Sequence, residues 1–467
     1  EKAYDQNLKY YDHYKMFFQN STTLNNSVTI SGNKDKMSFL LSASNNQSNS
    51  VFKGNGDYAR SNLLSKLSFE LAKGLTLTST TQLVYTKNTL NDQTGRGIFY
   101  SLNNTRPFAN YDQKDLDGNY GAYFGGAVGV NSYNPNYVNQ YSSTLIPSVD
   151  VIQNLNLNYK LNRFVELDAK YGLNFNNTNT TYRYEKQQLN QNATYNQYWI
   201  SNYNPNAAGD GSTTGEIDNY NERTTFQNFI ASATVRTDFE KDFKLKIPIK
   251  TSTQISYDYR KNVYKRFASY GYSAPNYYPW NASQAGVYKV FSDYVEPFIT
   301  YGFLVNQRFE YSDIAGLSVG VRSDFSSAFG SGQNAQTFPR GDAYVNLDRF
   351  RFWQSSNVSK VITGVKLRAA YGEAGIQPGA FQRFPVLGAA NLGTNSVFTF
   401  PTSSPNPALQ VEISKEREVG LDLSFNILKG EWLRGATLSA TYWKRSTDNA
   451  IYRVDAAPST GLGTVVN

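Results

Sequence analysis

The 467-residue chain contains no cysteine and one histidine, His13. Disulfide frameworks, Cys/His zinc sites, thiol catalysis and His-based triads within this chain are thereby excluded. Charge is also scarce: Asp, Glu, Lys and Arg make up 18% of residues, against about 25% in ordinary soluble domains. The net charge of +8 is scattered rather than gathered into Lys/Arg blocks, so no nucleic-acid patch is expected. Scattered basic residues suit an anionic membrane surface of lipid and lipopolysaccharide better. No apolar run approaches the roughly 18 residues of a membrane-crossing helix. A β-barrel hides its apolar residues by alternation and is not excluded on that ground. The chain opens at Glu1 and stops at Asn467 without a signal peptide, a lipidation motif or a recognisable ending, which reads as a piece of something longer.

Aromatics are abundant at 15%, with 36 Tyr, 29 Phe and 5 Trp. Asn, Ser, Thr, Gln and Tyr supply most of the polarity. Disorder goes with few aromatics and high charge, so this composition argues for a folded chain.

The dominant pattern has period two. Val419, Leu421, Leu423 and Phe425 alternate with Glu418, Gly420, Asp422 and Ser424. Val165, Leu167, Ala169, Tyr171, Leu173 and Phe175 alternate with Glu166, Asp168, Lys170, Gly172 and Asn174. Similar runs start at Leu245 and Leu317. Successive side chains of a strand point to opposite faces, so each run has one greasy side and one wet side. Their length suits strands of roughly 9–11 residues crossing a bilayer at a tilt.

The links between runs alternate in length. Asn33–Lys36, Ala72–Gly74, Leu161–Arg163, Glu240–Phe243 and Ser312–Ala315 are tight, with Trp353–Gly364 and Leu428–Gly435 longer in the same phase. Asn45–Ala59, Asn88–Pro147, Asn176–Glu222, Arg260–Val290, Ser326–Thr337 and Glu373–Pro407 are the long ones. Short periplasmic turns and long extracellular loops are the outer-membrane barrel pattern. The expected fold is all-β, a transmembrane antiparallel barrel wall of about 14 readable strands.

Several stretches then resemble the SusC/RagA class of TonB-dependent outer-membrane transporters of Bacteroidota. They are Asn26-Ser-Val-Thr-Ile-Ser-Gly32 with Met37–Ala43; Arg322–Gly330 with Phe338-Pro339; Lys366-Leu-Arg-Ala-Ala-Tyr-Gly372; Asn406-Pro-Ala-Leu409 with Val419–Phe425; and Tyr442-Trp-Lys-Arg-Ser-Thr-Asp448. They keep the family's order along most of the chain. Phe325, Ala328 and Val411 depart from it, standing where Gly, Arg and Trp are usual. The resemblance implies a barrel of about 22 strands with a plug in its lumen. Residues 1–467 would then be a partial barrel domain lacking the N-terminal plug and the last strands. It also implies a SusD-like surface lipoprotein and, through the missing N-terminal region, the TonB system.

Chemistry-bearing candidates are few. Asp115, Asp117 and Asn119 resemble part of a calcium loop, but the Gly falls too early for an EF-hand and no Glu stands at position 12, so an Asp-Gly turn in a surface hairpin is the favoured reading. Glu412, Glu416, Glu418 and Asp422 share the wet face of one strand and read as channel lining rather than an acid–base pair. His13 has no partner in sequence and reads as a surface residue. Tyr257, Tyr259, Tyr301 and Tyr442, placed near strand ends, fit an interfacial girdle. Tyr195, Tyr198, Trp199, Tyr272, Tyr277, Tyr278 and Trp280 fall in long loops and are the candidate solute-contacting residues, with loop packing as the alternative.

The expected function is import of oligosaccharides or peptides by a SusC-like transporter with a SusD-like partner, without enzymatic activity or cofactor. The alternatives are a SusC-like structural subunit of a larger outer-membrane complex and a passive porin. A barrel enzyme ranks last, for want of usable His or Cys.

Overall fold

The structure is a computed structural model. It describes residues 9–90, 102–103, 107–112, 114, 118, 120, 135–185, 215–273, 281–329, 335–384, 387–392, 395–399, 403–426, 435–460 and 463–466. The strands in chain order are β1 (Thr23–Lys34), β2 (Met37–Asn49), β3 (Asp57–Ala72), β4 (Leu75–Leu90), β5 (Ser142–Lys160), β6 (Val165–Tyr184), β7 (Glu216–Asp238) and β8 (Ile249–Tyr272). They continue as β9 (Val287–Tyr311), β10 (Ala315–Ser326), β11 (Gln336–Asn346), β12 (Ile362–Ile376), the short β13 (Gly388–Leu392), β14 (Asn395–Thr399) and β15 (Ser403–Ser404), then β16 (Glu412–Phe425) and β17 (Ala436–Asp448). Two more short strands follow, β18 (Arg453–Asp455) and β19 (Thr464–Val466).

Fourteen strands form one sheet in the order β1 through β12, then β16 and β17, each antiparallel to the next. The alternation count is met strand for strand. β1 and β17 are its two edges. The tight links are short turns at one end, and left-handed backbone bends those at Asp35 (φ 51°), Gly74 (φ 78°) and Ser312 (φ 45°). A Cβ on Gly74 would also fall 2.7 Å from the Lys160 carbonyl oxygen, so glycine is required there twice over.

Register fixes the faces. Leu367 pairs with Leu421, Leu421 with Ala440, and Leu423 with Leu438, while Lys366 pairs with Asp422 one step away. Carried round the sheet, one face shows Leu157, Leu167, Val235, Ile255, Val305, Phe309, Leu317, Val319 and Val419, all exposed. An apolar surface of that extent is not left facing water. It is the lipid face of a barrel wall, and the opposite polar face lines the lumen. Tyr257, Tyr259, Tyr301 and Tyr442 all lie on the lipid face, and Tyr257 meets Phe303 at 5.2 Å. They are mid-strand rather than at strand ends: the strands outrun the bilayer, and these rings mark the upper part of the greasy band.

The strands run further than alternation suggested. β7, β8 and β9 have 23, 24 and 25 residues, well beyond the roughly 9–11 that cross a bilayer. Parts of the expected loops Asn176–Glu222 and Arg260–Val290 are therefore strand. Past the bilayer both faces are wet, so the greasy alternation that marks a strand in the sequence disappears.

At the long-loop end, small local cores form. Phe329, Phe338 and Val411 are buried together, with Ile413 packed on them. Arg383 ties this region down, donating to the carbonyl oxygens of Phe329 and Pro407. His13 is a correction. It is buried, its Nε2 lies 2.9 Å from the Ala109 carbonyl oxygen, and its ring meets Tyr111 edge-on. The contact spans 96 positions, which no local pattern reveals.

Candidate solute path along the barrel interior

The lumen face of β8 to β17 carries dense, mutually paired charge. Asp258 on β8 accepts from Arg260 at 2.5 Å, from Arg322 at 3.2 Å and from Asn228 at 3.2 Å. Arg322 also grips Asp324 through Nε at 2.7 and 2.9 Å. Arg308 holds Glu310 at 2.8 Å, and Arg445 holds Glu416 at 2.9 Å. Asp422 accepts from Arg368 at 3.2 Å and from Ser439 at 2.8 Å. The four carboxylates picked out on β16 thus face the lumen, and Glu416 and Asp422 are held by arginines. Beside them, Arg308, Asp342, Tyr344, Lys366, Arg368 and Glu418 line a shallow cavity of about 260 Å³.

A recurring arrangement keeps these side chains flat. Asn306, Gly320 and Arg340 form one row across three strands, and Arg340 Nη2 reaches over the glycine to Asn306 at 3.2 Å. Arg368, Gly420 and Thr441 form a second row, bridged at 2.5 Å. Asp258, Gly302 and Asp324 form a third, with Arg322 reaching Asp258 past the gap. The missing side chain lets a long one lie on the wall instead of blocking the lumen.

Above the membrane band the same face turns aromatic. Tyr182 meets Tyr220, which meets Phe291, which meets Tyr270, at 5.7, 5.6 and 5.6 Å. Tyr270 stacks on Tyr272 at 6.1 Å. Tyr264 faces Tyr294 at 6.3 Å, and Phe381 from the β12–β16 connection meets Tyr294 at 6.4 Å. Phe291 joins the inward set through an irregularity: Ala268 pairs with Ser292 and Ser269 with Val290, leaving Phe291 unpaired. Two hydroxyls are committed to carboxylates, Tyr264 to Glu222 at 2.6 Å and Tyr294 to Glu296. These residues are sixteen or more positions from the short turns, outside the bilayer. Burial first, and then the Glu296 hydrogen bond, push the Tyr294 phenol up to about 12. Tyr264 is raised by burial and by Glu222 in the same way.

Of the sequence candidates, Tyr272 falls at the end of β8 inside this aromatic set. Tyr195, Tyr198, Trp199, Tyr277, Tyr278 and Trp280 lie outside the described residues, as do Asp115, Asp117 and Asn119. Among the described residues no cluster of three potential metal ligands exists. Sequence reasoning missed Tyr182, Tyr220, Tyr264, Tyr270, Phe291, Tyr294 and Phe381. Even-numbered tyrosines on β6 and β8 were the available signal, had those strands been extended past the bilayer.

Residues 125–467 match the family model described as TonB dependent receptor-like, beta-barrel. A search of curated protein sequences finds no match. Among solved structures, a chain of the RagAB peptide importer in the "closed-closed" state is 13% identical, with a TM-score of 0.76 over 98% of this chain and 48% of that one. A chain of the RagAB peptide transporter is 14% identical, with a TM-score of 0.78 over 98% and 48%. The outer membrane transporter YddB from Escherichia coli is 12% identical, with a TM-score of 0.50 over 95% and 49%. At these identities the likeness is one of fold, and the chain spans about half the length of these solved relatives. The family match covers most of the sequence: the chain belongs to the TonB-dependent-receptor β-barrel family of the outer membrane.

Proposed function

We propose that this chain forms the wall of an active outer-membrane importer for a peptide or an oligosaccharide. The observation that carries the reading is the continuous inner face: rings at the long-loop end lead down onto a polar lumen whose arginines are laid flat. Rings bind planar or apolar parts of a solute by stacking, and the polar wall below hydrates whatever passes. The likeness to a peptide importer supports the peptide arm. In this reading a plug and further strands, outside residues 1–467, complete and close the barrel. A SusD-like lipoprotein covers the long-loop end, and the TonB system supplies the energy that moves the plug. The chain makes and breaks no covalent bond.

The test is uptake by cells carrying or lacking the native gene, using labelled peptides and labelled oligosaccharides, with and without an uncoupler. Import expects gene-dependent uptake of one solute class that stops when the proton gradient collapses. Gene-dependent flux that ignores the uncoupler would instead mark a passive pore.

A further inference from the structure

Three rings and two carboxylates converge on the lumen face above the bilayer. Tyr264 of β8 pairs in register with Glu296 of β9, and Arg266 pairs with Tyr294 on one side and Glu222 on the other. Tyr264 donates its hydroxyl to Glu222, and Tyr294 donates its own to Glu296. With the phenol edges tied to carboxylates, a ligand meets ring faces and the remaining lone pairs of Glu222 and Glu296. Each carboxylate has about four acceptor sites, so one tyrosine hydroxyl does not saturate it. Ring faces carry the negative end of the aromatic quadrupole, so both kinds of group favour a cation.

The chain itself shows the preference. The Arg266 guanidinium lies over the Tyr220 ring at 5.4 Å, with its Nε 3.7 Å from Glu222. That guanidinium stands against two carboxylates, which leaves the spot short of positive charge. Phe381 and Tyr294 are 40% and 39% exposed, so the rings are open to a solute. Phe381 is held in place by its neighbours: Gln382 accepts from the Gly379 amide at 2.7 Å, and Arg383 is clamped to Pro407.

We propose that Glu222, Glu296, Tyr264, Tyr294 and Phe381 form a site for a cationic side chain, the ammonium of lysine or the guanidinium of arginine, carried by a peptide solute. The inference rests on the import reading and separates its two solute classes. A neutral oligosaccharide could stack on the rings but has no group that gains from the carboxylates.

The test uses the full-length native protein in detergent, with barrel folding verified by heat-modifiable migration. The probe is a dye-labelled lysine–glycine pentapeptide, compared by fluorescence anisotropy with its Nε-acetylated twin and with maltohexaose as competitor. Acetylation is expected to weaken binding about tenfold. The double variant Glu222→Gln/Glu296→Gln should lose the same factor on the lysine peptide and leave the twin unchanged. Phe381→Ala should weaken the lysine peptide about threefold. Equal binding of the twins, or displacement of the probe by maltohexaose, overturns the cationic site. If the twins bind equally while energy-dependent uptake persists, the import reading stands and the site alone fails. A lysine preference that survives in a protein without uptake supports the site and removes the import reading.

Discussion

Arg368 lies across Gly420, whose Cβ, if present, would fall 2.5 Å from the guanidinium carbon and 2.7 Å from Nε. The same is true in kind of Gly320, where a Cβ would be 2.7 Å from Asn306 Oδ1 and 3.0 Å from Arg340 Nε. At Gly302 the obstruction is harsher, because the backbone carbonyl oxygen of Ser323 is 2.8 Å away in addition to Asp324 Oδ1. A flexible guanidinium can move aside; a strand backbone cannot.

Substituting these glycines should therefore give unequal costs. Gly420→Ala is expected to change stability by less than about 1 kcal/mol, because the strand entropy regained offsets lost arginine contacts. Gly302→Ala should cost about 1–3 kcal/mol as an overpacking defect. Urea unfolding in lipid vesicles measures both. Arginine-specific labelling with phenylglyoxal should rise at Arg368 in the Gly420→Ala protein, since its guanidinium is driven off the wall.

Asp258 is the carboxylate on which Arg260 and Arg322 converge, and its side chain is 9% exposed. Removing it takes the shared acceptor from both guanidiniums and leaves Arg322 with Asp324 alone. Asp258→Ala is expected to destabilise the barrel by about 1–3 kcal/mol, the cost of unsatisfied charged donors. Asp258→Asn keeps an acceptor oxygen and should cost less. If the two variants unfold at the same urea concentration, the pairing has no energetic role.

How much of this could be read beforehand follows from what each part of a strand touches. Between the short turns and the aromatic girdle, one face meets lipid and the other water. There Leu421 against Asp422, or Leu167 against Asp168, states the register openly. Beyond the girdle, segments such as Asn176–Tyr184 and Glu216–Glu222 are wet on both sides, and Asn, Thr and Tyr fill either face without penalty. Strand and loop look alike in such sequence, which is why Tyr182, Tyr220 and Tyr264 went unnoticed. Phe291 was further hidden: it shares the inward set with Tyr294 although their numbers have the parity of opposite faces, and only the slip at Ser269 reconciles them. Phe381 meets Tyr294 across 87 positions through a connection with no periodicity at all.

The assignment of faces can be checked at two consecutive residues of β5. Leu157 pairs with Leu77 and Ala169 on the lipid face, and Asn156 pairs with Thr78 and Lys170 on the lumen face. They lie three and four positions from the end of the strand, inside the stretch that crosses the bilayer. Leu157→Arg should cost about 2–4 kcal/mol of folding free energy in vesicles. Asn156→Arg places its charge on the lumen side instead of in lipid and should cost clearly less than Leu157→Arg. Equal costs would remove the case for a lipid face on this strand.

Tyr294 offers a titration that reads the aromatic end of the lumen directly. Its phenol is raised from 10.0 to about 12, by burial first and by its hydrogen bond to Glu296 second. A group whose folded pKa is raised contributes stability that is complete below the unfolded value and is lost as pH climbs through the folded one. That contribution should accordingly be intact at pH 9 and fade between 10 and about 12. Phenolate absorbance followed against pH should show a late-titrating fraction in the wild type. Tyr294→Phe should remove one group from that fraction. Glu296→Gln should move Tyr294 earlier without returning it fully to 10.0, because the larger cause, burial, remains. A Glu296→Gln protein with an unchanged late fraction would show that the carboxylate does not act on this phenol, and would remove Glu296 from the proposed cationic site as well.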